Sequence, residues 1–242
     1  MYTILLLGGN GLIGSKISKI LKESRKFNVF NLDKNDIDLS REANIHTIKK
    51  RIKDINPNII IVLASIKRQQ GDSDEIKKYN DLISKNLSYC LSDQISKVVY
   101  LSSSAVYGEK NNQFKFNENS PLMPTSRYGE HKLQSEILYT ELIDKQRLLI
   151  IRPPLIYDMN EIDGYHPGGF IYSAKKNMII KLWGAGNEKR EFILLEDAAK
   201  LIIKLSISDC LGIFNIASGK SFSYRSIAEY ISKIIECKII EM

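Results

Sequence analysis

No apolar run in this chain is long enough to cross a bilayer. The longest, Ile4–Leu7, Ile59–Ala64 and Leu148–Ile151, fall far short of the about 20 residues that a spanning helix requires. They read as buried strands, and no membrane insertion is expected. Met1 leads into the first run without a basic stretch, a long apolar segment or a small-residue cleavage site, so no secretory signal is marked and a cytoplasmic location is the expectation. Cysteine is scarce: Cys90, Cys210 and Cys237 are dispersed, odd in number and lack metal-ligand spacing. That pattern fits reduced thiols and excludes a disulfide framework; no metal is expected. Concentrated charge is missing as well. The net charge is +7, but the lysines are spread through helical stretches rich in Ile, Lys and Asn, so no nucleic-acid surface is expected, whereas a small phosphate-bearing ligand suits a basic protein. Linkers, internal repeats and low-complexity blocks are also lacking.

What the 242 residues do contain is enough apolar material for a substantial core. The first part repeats a short apolar run, a turn and an amphipathic helix. Runs at Thr3–Leu7, Asn28–Leu32, Ile59–Ala64, Val98–Ser102 and Leu148–Ile151 alternate with helices from about Leu12 and over Ser40–Ile55, Asp74–Leu91 and Ser126–Asp144. Such alternation predicts an α/β fold, a Rossmann-type doubly wound parallel sheet covered on both faces. From Pro153 the rhythm changes. A Gly/Pro-containing stretch, Tyr157–Gly169, precedes short segments at Met178–Trp183 and Arg190–Leu195 and helices near Glu196–Ser206 and Tyr224–Ile235. The expected division is residues 1–152 as a dinucleotide-binding domain and 153–242 as a small substrate-binding region interleaved with late elements of the main fold.

Between the first strand and first helix stands Gly8-Gly9-Asn10-Gly11-Leu12-Ile13-Gly14. One glycine permits the tight turn, a second lets backbone N–H groups approach a pyrophosphate, and the third lets helix and strand pack closely. Gly8, Gly11 and Gly14, with Asn10, Leu12 and Ile13 between them, are therefore candidate cofactor contacts. Asp33 ends the second strand 19 residues after Gly14, where a ribose-binding carboxylate belongs. An acid there repels a 2′-phosphate, favouring NAD over NADP, although Lys34 beside it pulls the other way; the plain alternative is a turn residue. Asp38 either caps the next helix or approaches the adenine.

Tyr128-Gly129-Glu130-His131-Lys132 puts a tyrosine and a lysine on one helix face. A neighbouring ammonium is expected to lower the tyrosine pKa and make it an acid/base near neutral pH. The preceding strand ends in Ser102-Ser103-Ser104-Ala105-Val106-Tyr107-Gly108, which brings a hydroxyl to the same end of the sheet.

Together the glycine loop, strand-end acid, serine and Tyr-x-x-x-Lys resemble the extended short-chain dehydrogenase/reductases, specifically the NAD-dependent epimerase/dehydratase family. Leu182-Trp183-Gly184-Ala185-Gly186-Asn187-Glu188-Lys189-Arg190-Glu191-Phe192, followed by Glu196-Asp197-Ala198-Ala199, is similar to the signature of its nucleotide-sugar branch. The resemblance covers nearly the entire chain and implies an enzyme with a nucleotide-diphosphate sugar substrate, NAD as cofactor and a homodimer as the candidate assembly. It implies catalytic roles for Ser103 (Ser104 as fallback), Tyr128 and Lys132, with Lys132 also holding the nicotinamide ribose. It places Leu63, Ala64 and Ser65 along the cofactor, Arg152-Pro153 beyond the nicotinamide, and Arg190 on the substrate diphosphate; Ser103, Ser104 and Tyr128 complete the substrate contacts. The implied reaction is oxidation of a sugar hydroxyl, typically at C4, and return of the hydride to give an epimer. A ketosugar reductase and a dinucleotide-sensing scaffold are the alternatives. Dehydratases of the family carry Asp-Glu after the active-site Thr, whereas this chain has Ser104-Ala105. Three departures stand out: Asp158 in place of a glycine, Glu191 in place of an aspartate, and a chain end at Met242 that implies a shortened substrate-binding region, its sugar pocket reduced, completed by a partner subunit or built differently.

Overall fold

The computed structural model describes residues 2–91, 95–108, 115–162 and 164–242. In chain order the first part forms β1 (Tyr2–Leu7), α1 (Leu12–Ser24), β2 (Phe27–Leu32), α2 (Ile45–Ile55), β3 (Ile59–Val62), α3 (Asp74–Ser88), β4 (Lys97–Leu101), α4 (Arg127–Leu142) and β5 (Leu148–Arg152). There follow β6 (Leu155–Tyr157), α5 (Pro167–Asn177), β7 (Ile179–Leu182), β8 (Lys189–Leu194), α6 (Leu195–Ile207), β9 (Gly212–Asn215), β10 (Ser221–Ser223), α7 (Tyr224–Ile235) and β11 (Lys238–Glu241). The chain divides into two compact units, Met1–Arg152 with Ala199–Asn215, and Pro153–Ala198 with Ile216–Met242.

The first unit holds a six-stranded, wholly parallel sheet in the order β2-β1-β3-β4-β5-β9. Its inner strands are Ile-, Val- and Leu-rich and buried along both faces, as a doubly wound sheet requires. Leu5, Leu7, Ile60, Val62, Val98, Tyr100 and Ile150 point to one side, where they form a core with Ile48 and Ile52 of α2 and Ile83 and Leu87 of α3. Their alternates Ile4, Leu6, Ile61 and Val99 point the other way and are equally buried. The parallel register aligns Leu7 with Leu32 and Val62, Leu101 with Ile151, and Arg152 with Asn215. Gly8, Asp33, Leu63–Ser65 and Ser102–Ser104 therefore all stand just past the carboxyl ends of their strands. In this strand order the direction of winding reverses between β1 and β3, and such a switch point is where open α/β sheets bind ligands.

The second unit carries a three-stranded sheet, β10-β8-β6, and a two-stranded one, β11-β7. Its core is aromatic: Phe170, Phe192 and Tyr224 pack with Ala174, Ile180, Leu182, Ala228 and Ile231. Tyr165 stacks at 5.0 Å on Trp183, which is 68% exposed. No described helix is long and apolar enough to cross a membrane.

Local chemistry moves some boundaries. The helix expected from Ser40 starts at Ile45, because the Asp38 carboxylate collects the Ser40 N–H and hydroxyl into a separate turn, followed by a short 3-10 segment at Glu42–Asn44. Asp38 thus caps a turn and not α2. In the Gly/Pro-containing stretch, His166 accepts the Gly169 N–H and Pro167 occupies the first helical position, which together start α5.

Candidate active site

Gly8 has φ +90°, and a Cβ on it would lie 2.8 Å from the Ala64 nitrogen. The turn after β1 and the turn after β3 thus touch backbone to backbone at the point where the winding order reverses. A Cβ on Gly14 would meet the Gly8 carbonyl oxygen at 2.5 Å, so α1 also lies directly on the turn. Gly11 would meet only the Gly8 oxygen, at 3.4 Å. Gly11 is also the N-cap of α1, with no side-chain cap and no acidic residue in the first turn, leaving the N–H groups around Leu12–Gly14 suited to an anion. Asp33 is 7% exposed. One carboxylate oxygen accepts from the Asn10 amide and the other from the Asn35 N–H at 2.7 Å, while Asn31 donates to Asn10 Oδ1 at 3.1 Å. A glycine cradle that a Cβ would fill, a bare helix N-terminus and a strand-end carboxylate fit a dinucleotide. Asp38 receives Tyr79 Oη at 3.1 Å besides Ser40, and the Ser40 hydroxyl above all holds its carboxyl below the usual range.

Ser126 caps α4 through the Gly129 N–H at 3.0 Å, and Asp72 accepts the Tyr128 N–H at 2.8 Å. Gly129 allows the helix to press on the 3-10 turn Ser104–Tyr107, since a Cβ there would stand 2.6 Å from the Ala105 oxygen. Lys132 is buried; its Nζ donates to the Leu101 carbonyl at 2.8 Å, 5.5 Å from the Tyr128 ring centroid and 5.0 Å from that of Tyr100. One sequence expectation is corrected here. The Tyr128 hydroxyl is not lowered: burial pushes it up to about 12, against the opposing pull of the Ser65 hydroxyl. Burial also pushes Lys132 down to about 7, with Glu136 working in the other direction. Lys132 Nζ, seated on a carbonyl, stands 5.5 Å from the tyrosine ring centroid, and desolvation of the phenol sets the direction of its shift.

Ser103 is half-buried at the head of the 3-10 turn, its Oγ accepting the Ala105 N–H at 3.2 Å; Ser104 is half-buried beside it. Ser65, expected along the cofactor, is brought against Tyr128. Motif reading passed over Ser102, Asp72, Gly129 and Glu136. Of these only Glu136 carried a signal, its place four residues after Lys132 on the same helix face.

In the second unit, Pro153 is buried at the start and Arg190 lies on β8. Arg190 bonds Glu188 Oε2 at 3.2 Å and the Lys189 carbonyl at 2.9 Å. Glu191 accepts Ser218 Oγ at 3.0 Å and the Gly219 N–H at 2.6 Å.

The chain is 28% identical, over 94% of its length and 81% of the relative's, to a putative UDP-glucose 4-epimerase of Methanocaldococcus jannaschii. It is 26% identical to the uncharacterized protein y4nG of Sinorhizobium fredii, matching 97% of this chain but only 61% of that protein. Among solved structures, the UDP-glucose 4-epimerase of Thermus thermophilus in complex with NAD superposes with a TM-score of 0.83 at 20% identity, over 99% of this chain and 85% of that one. A dTDP-4-dehydrorhamnose reductase of Bacillus anthracis in complex with NADP gives 0.85 at 20% identity, over 100% and 84%. These two likenesses show the shared α/β fold. Residues 4–217 match the model of the NAD dependent epimerase/dehydratase family. With the glycine turn, the strand-end acid and the Ser/Tyr/Lys set all inside that match, the chain belongs to this family of NAD(P)-dependent nucleotide-sugar enzymes.

Proposed function

We propose that the protein is an NAD-dependent nucleotide-sugar epimerase that oxidises a sugar hydroxyl, at C4, to a transient ketosugar and reduces it again from the other face. The observation that carries this reading is the seating of Lys132 Nζ on the Leu101 carbonyl. It ties the helix bearing Tyr128 to the end of the strand that leads into Ser103.

The glycine turn and the N-terminus of α1, with Asn10, Leu12 and Ile13, would hold the diphosphate of NAD. Asp33 would hold the adenosine ribose, favouring NAD over NADP, with Asp38 towards the adenine. Leu63, Ala64, Ser65 and Pro153 would line the remainder, and Lys132 the second ribose. NAD when bound supplies the hydride acceptor and donor. Tyr128 keeps its proton at neutral pH, with its hydroxyl at about 12, which suits delivery to a ketosugar oxygen. Taking a proton in the oxidative half requires added positive charge near the phenol, which Lys132, with Nζ 5.5 Å from the ring centroid, would supply when protonated. Ser103, with Ser104 as its neighbour, would hydrogen-bond the reacting oxygen. Arg190 would pair with the substrate diphosphate through its fork of donors.

The likeness to a putative UDP-glucose 4-epimerase of Methanocaldococcus jannaschii supports epimerisation, and Ser104-Ala105 argues against dehydration. The test is to incubate purified protein with NAD and a panel of UDP-, dTDP- and GDP-sugars, following epimers by NMR and cofactor by absorbance. Epimers without net NADH are expected. Net NADH consumption in a parallel incubation with NADH and a nucleotide ketosugar, without epimers, would replace the reading with a reductase, and no hydride transfer in either would favour a dinucleotide sensor.

A further inference from the structure

A buried carboxylate joins the site-bearing elements of the first unit. Glu136, on α4 one turn beyond Lys132, is 4% exposed, and Arg152, the last residue of β5, is 2% exposed. They pair in a fork: Nε to Oε1 at 2.9 Å and Nη2 to Oε2 at 2.6 Å. The Ser102 hydroxyl donates to the same Oε1. From the other side of the guanidinium, Nη1 donates to Tyr107 Oη at 2.8 Å, which in turn donates to Asn215 Oδ1 at 2.8 Å. One cluster thus fastens α4, the residue before Ser103, the turn after it, and the ends of β5 and β9.

A buried ion pair gains little over apolar side chains of similar size, because desolvation offsets the attraction, so its value lies in fixing geometry. Here the geometry fixed is that of Tyr128, Lys132 and Ser103. We infer that Glu136 and Arg152 are positioning residues, holding the α4 face that carries Tyr128 and Lys132 in register with Ser103. The inference rests on the epimerase reading for its kinetic consequence but not for its effect on Lys132. Around the Lys132 ammonium stand the Leu101 carbonyl and Tyr100 ring of β4, together with Tyr128, His131 and Glu136 of α4. Asp81 and Lys77 of α3 lie beyond His131. Within this group Glu136 supplies the charge that supports the protonated amine.

Three variants test this. E136Q alone strands the Arg152 charge and is expected to destabilise the protein. The charge-free pair E136Q/R152M avoids that penalty, and R152K keeps the charge but loses the fork. The double variant should melt close to the wild type, with kcat reduced about 100-fold, the scale for misplaced catalytic groups. R152K should fall between the two. Calorimetric NAD binding adds a readout independent of turnover: the pH above which affinity weakens should move down in E136Q/R152M, as Lys132 loses its support. A folded double variant with wild-type kcat and an unmoved pH limb would overturn the inference. If the wild type itself transfers no hydride, the epimerase reading fails, and the pH limb of NAD binding alone decides this one.

Discussion

The two units of the chain treat charge in opposite ways. In the first, Asp33, Lys132, Glu136 and Arg152 are each less than a tenth exposed and each is hydrogen-bonded. In the second, the large buried side chains are Phe170, Phe192, Tyr224 and His166, while Glu188 and Lys189 are exposed and Arg190 is half-buried. A buried charge is tolerable only where its partners are fixed, whereas a solvated one can change partners at little cost. The first unit is therefore built for one geometry, which suits a reaction shared across a family. The second can vary its surface without refolding, as the substrate-binding role proposed for Arg190 would require.

The largest effect should come from the centre of the fixed region. Tyr128→Phe removes one oxygen and no packing, so kcat should fall by about 1000-fold, within the range of a lost acid/base. Calorimetric affinity for NAD should stay within a few-fold of wild type. Normal turnover would sink the proposed mechanism and with it the assignment of chemistry to the first unit.

Asp33→Ala comes next. Losing a charge-assisted acceptor for ribose hydroxyls should weaken NAD by about 10- to 100-fold, while NADP, relieved of a repelling carboxylate, should lose much less. Equal losses for both would leave Asp33 as a turn residue held by Asn10 and Asn35. Arg190→Ala carries the same question to the second unit. KM for the nucleotide sugar should rise by about 10-fold with NAD affinity unchanged. A loss of NAD binding instead would break the division of labour.

What could be read in advance from the sequence follows the range of the forces involved. The glycine turn, Asp33 and the Tyr128/Lys132 pair depend on spacing within one strand-turn-helix segment, and the structure shows those segments where the spacing puts them. The start of α5 is also local but ambiguous, because Pro167-Gly168-Gly169 reads as a turn until His166 is seen to cap it. β9 is only Gly212–Asn215, and its pairing with β5 is what makes it a strand. The protonation of Tyr128 was not legible at all. The i, i+4 lysine is visible in the sequence, whereas the desolvation of the buried phenol is not, because it arises only when the chain folds. The Glu136–Arg152 pair joins residues 16 apart, and its significance lies in the burial of both ends.

The smallest expected effect concerns a charge that the first unit leaves no room for. His131 is 1% exposed, with Nδ1 2.8 Å from Asp81 Oδ1 and a buried Nε2 that has no partner among the described residues. With its proton on Nδ1 the neutral ring satisfies Asp81; a second proton would put an N–H at Nε2 facing no acceptor. Burial accordingly holds its pKa below the ordinary histidine value, with Asp81 pulling upward and Lys132 and Lys77 reinforcing the drop. A lowered folded-state pKa means that the unfolded chain takes up the proton first as pH falls below about 6.5. Stability is then present above that pH and is lost on the way down towards the folded-state pKa. His131→Asn keeps a donor for Asp81 and cannot titrate. Between pH 7 and pH 5 the wild type should lose about 2 °C more in thermal midpoint than this variant. Parallel curves would show that the fixed region accommodates the extra proton after all, and the contrast between the two units would then rest on packing and not on charge.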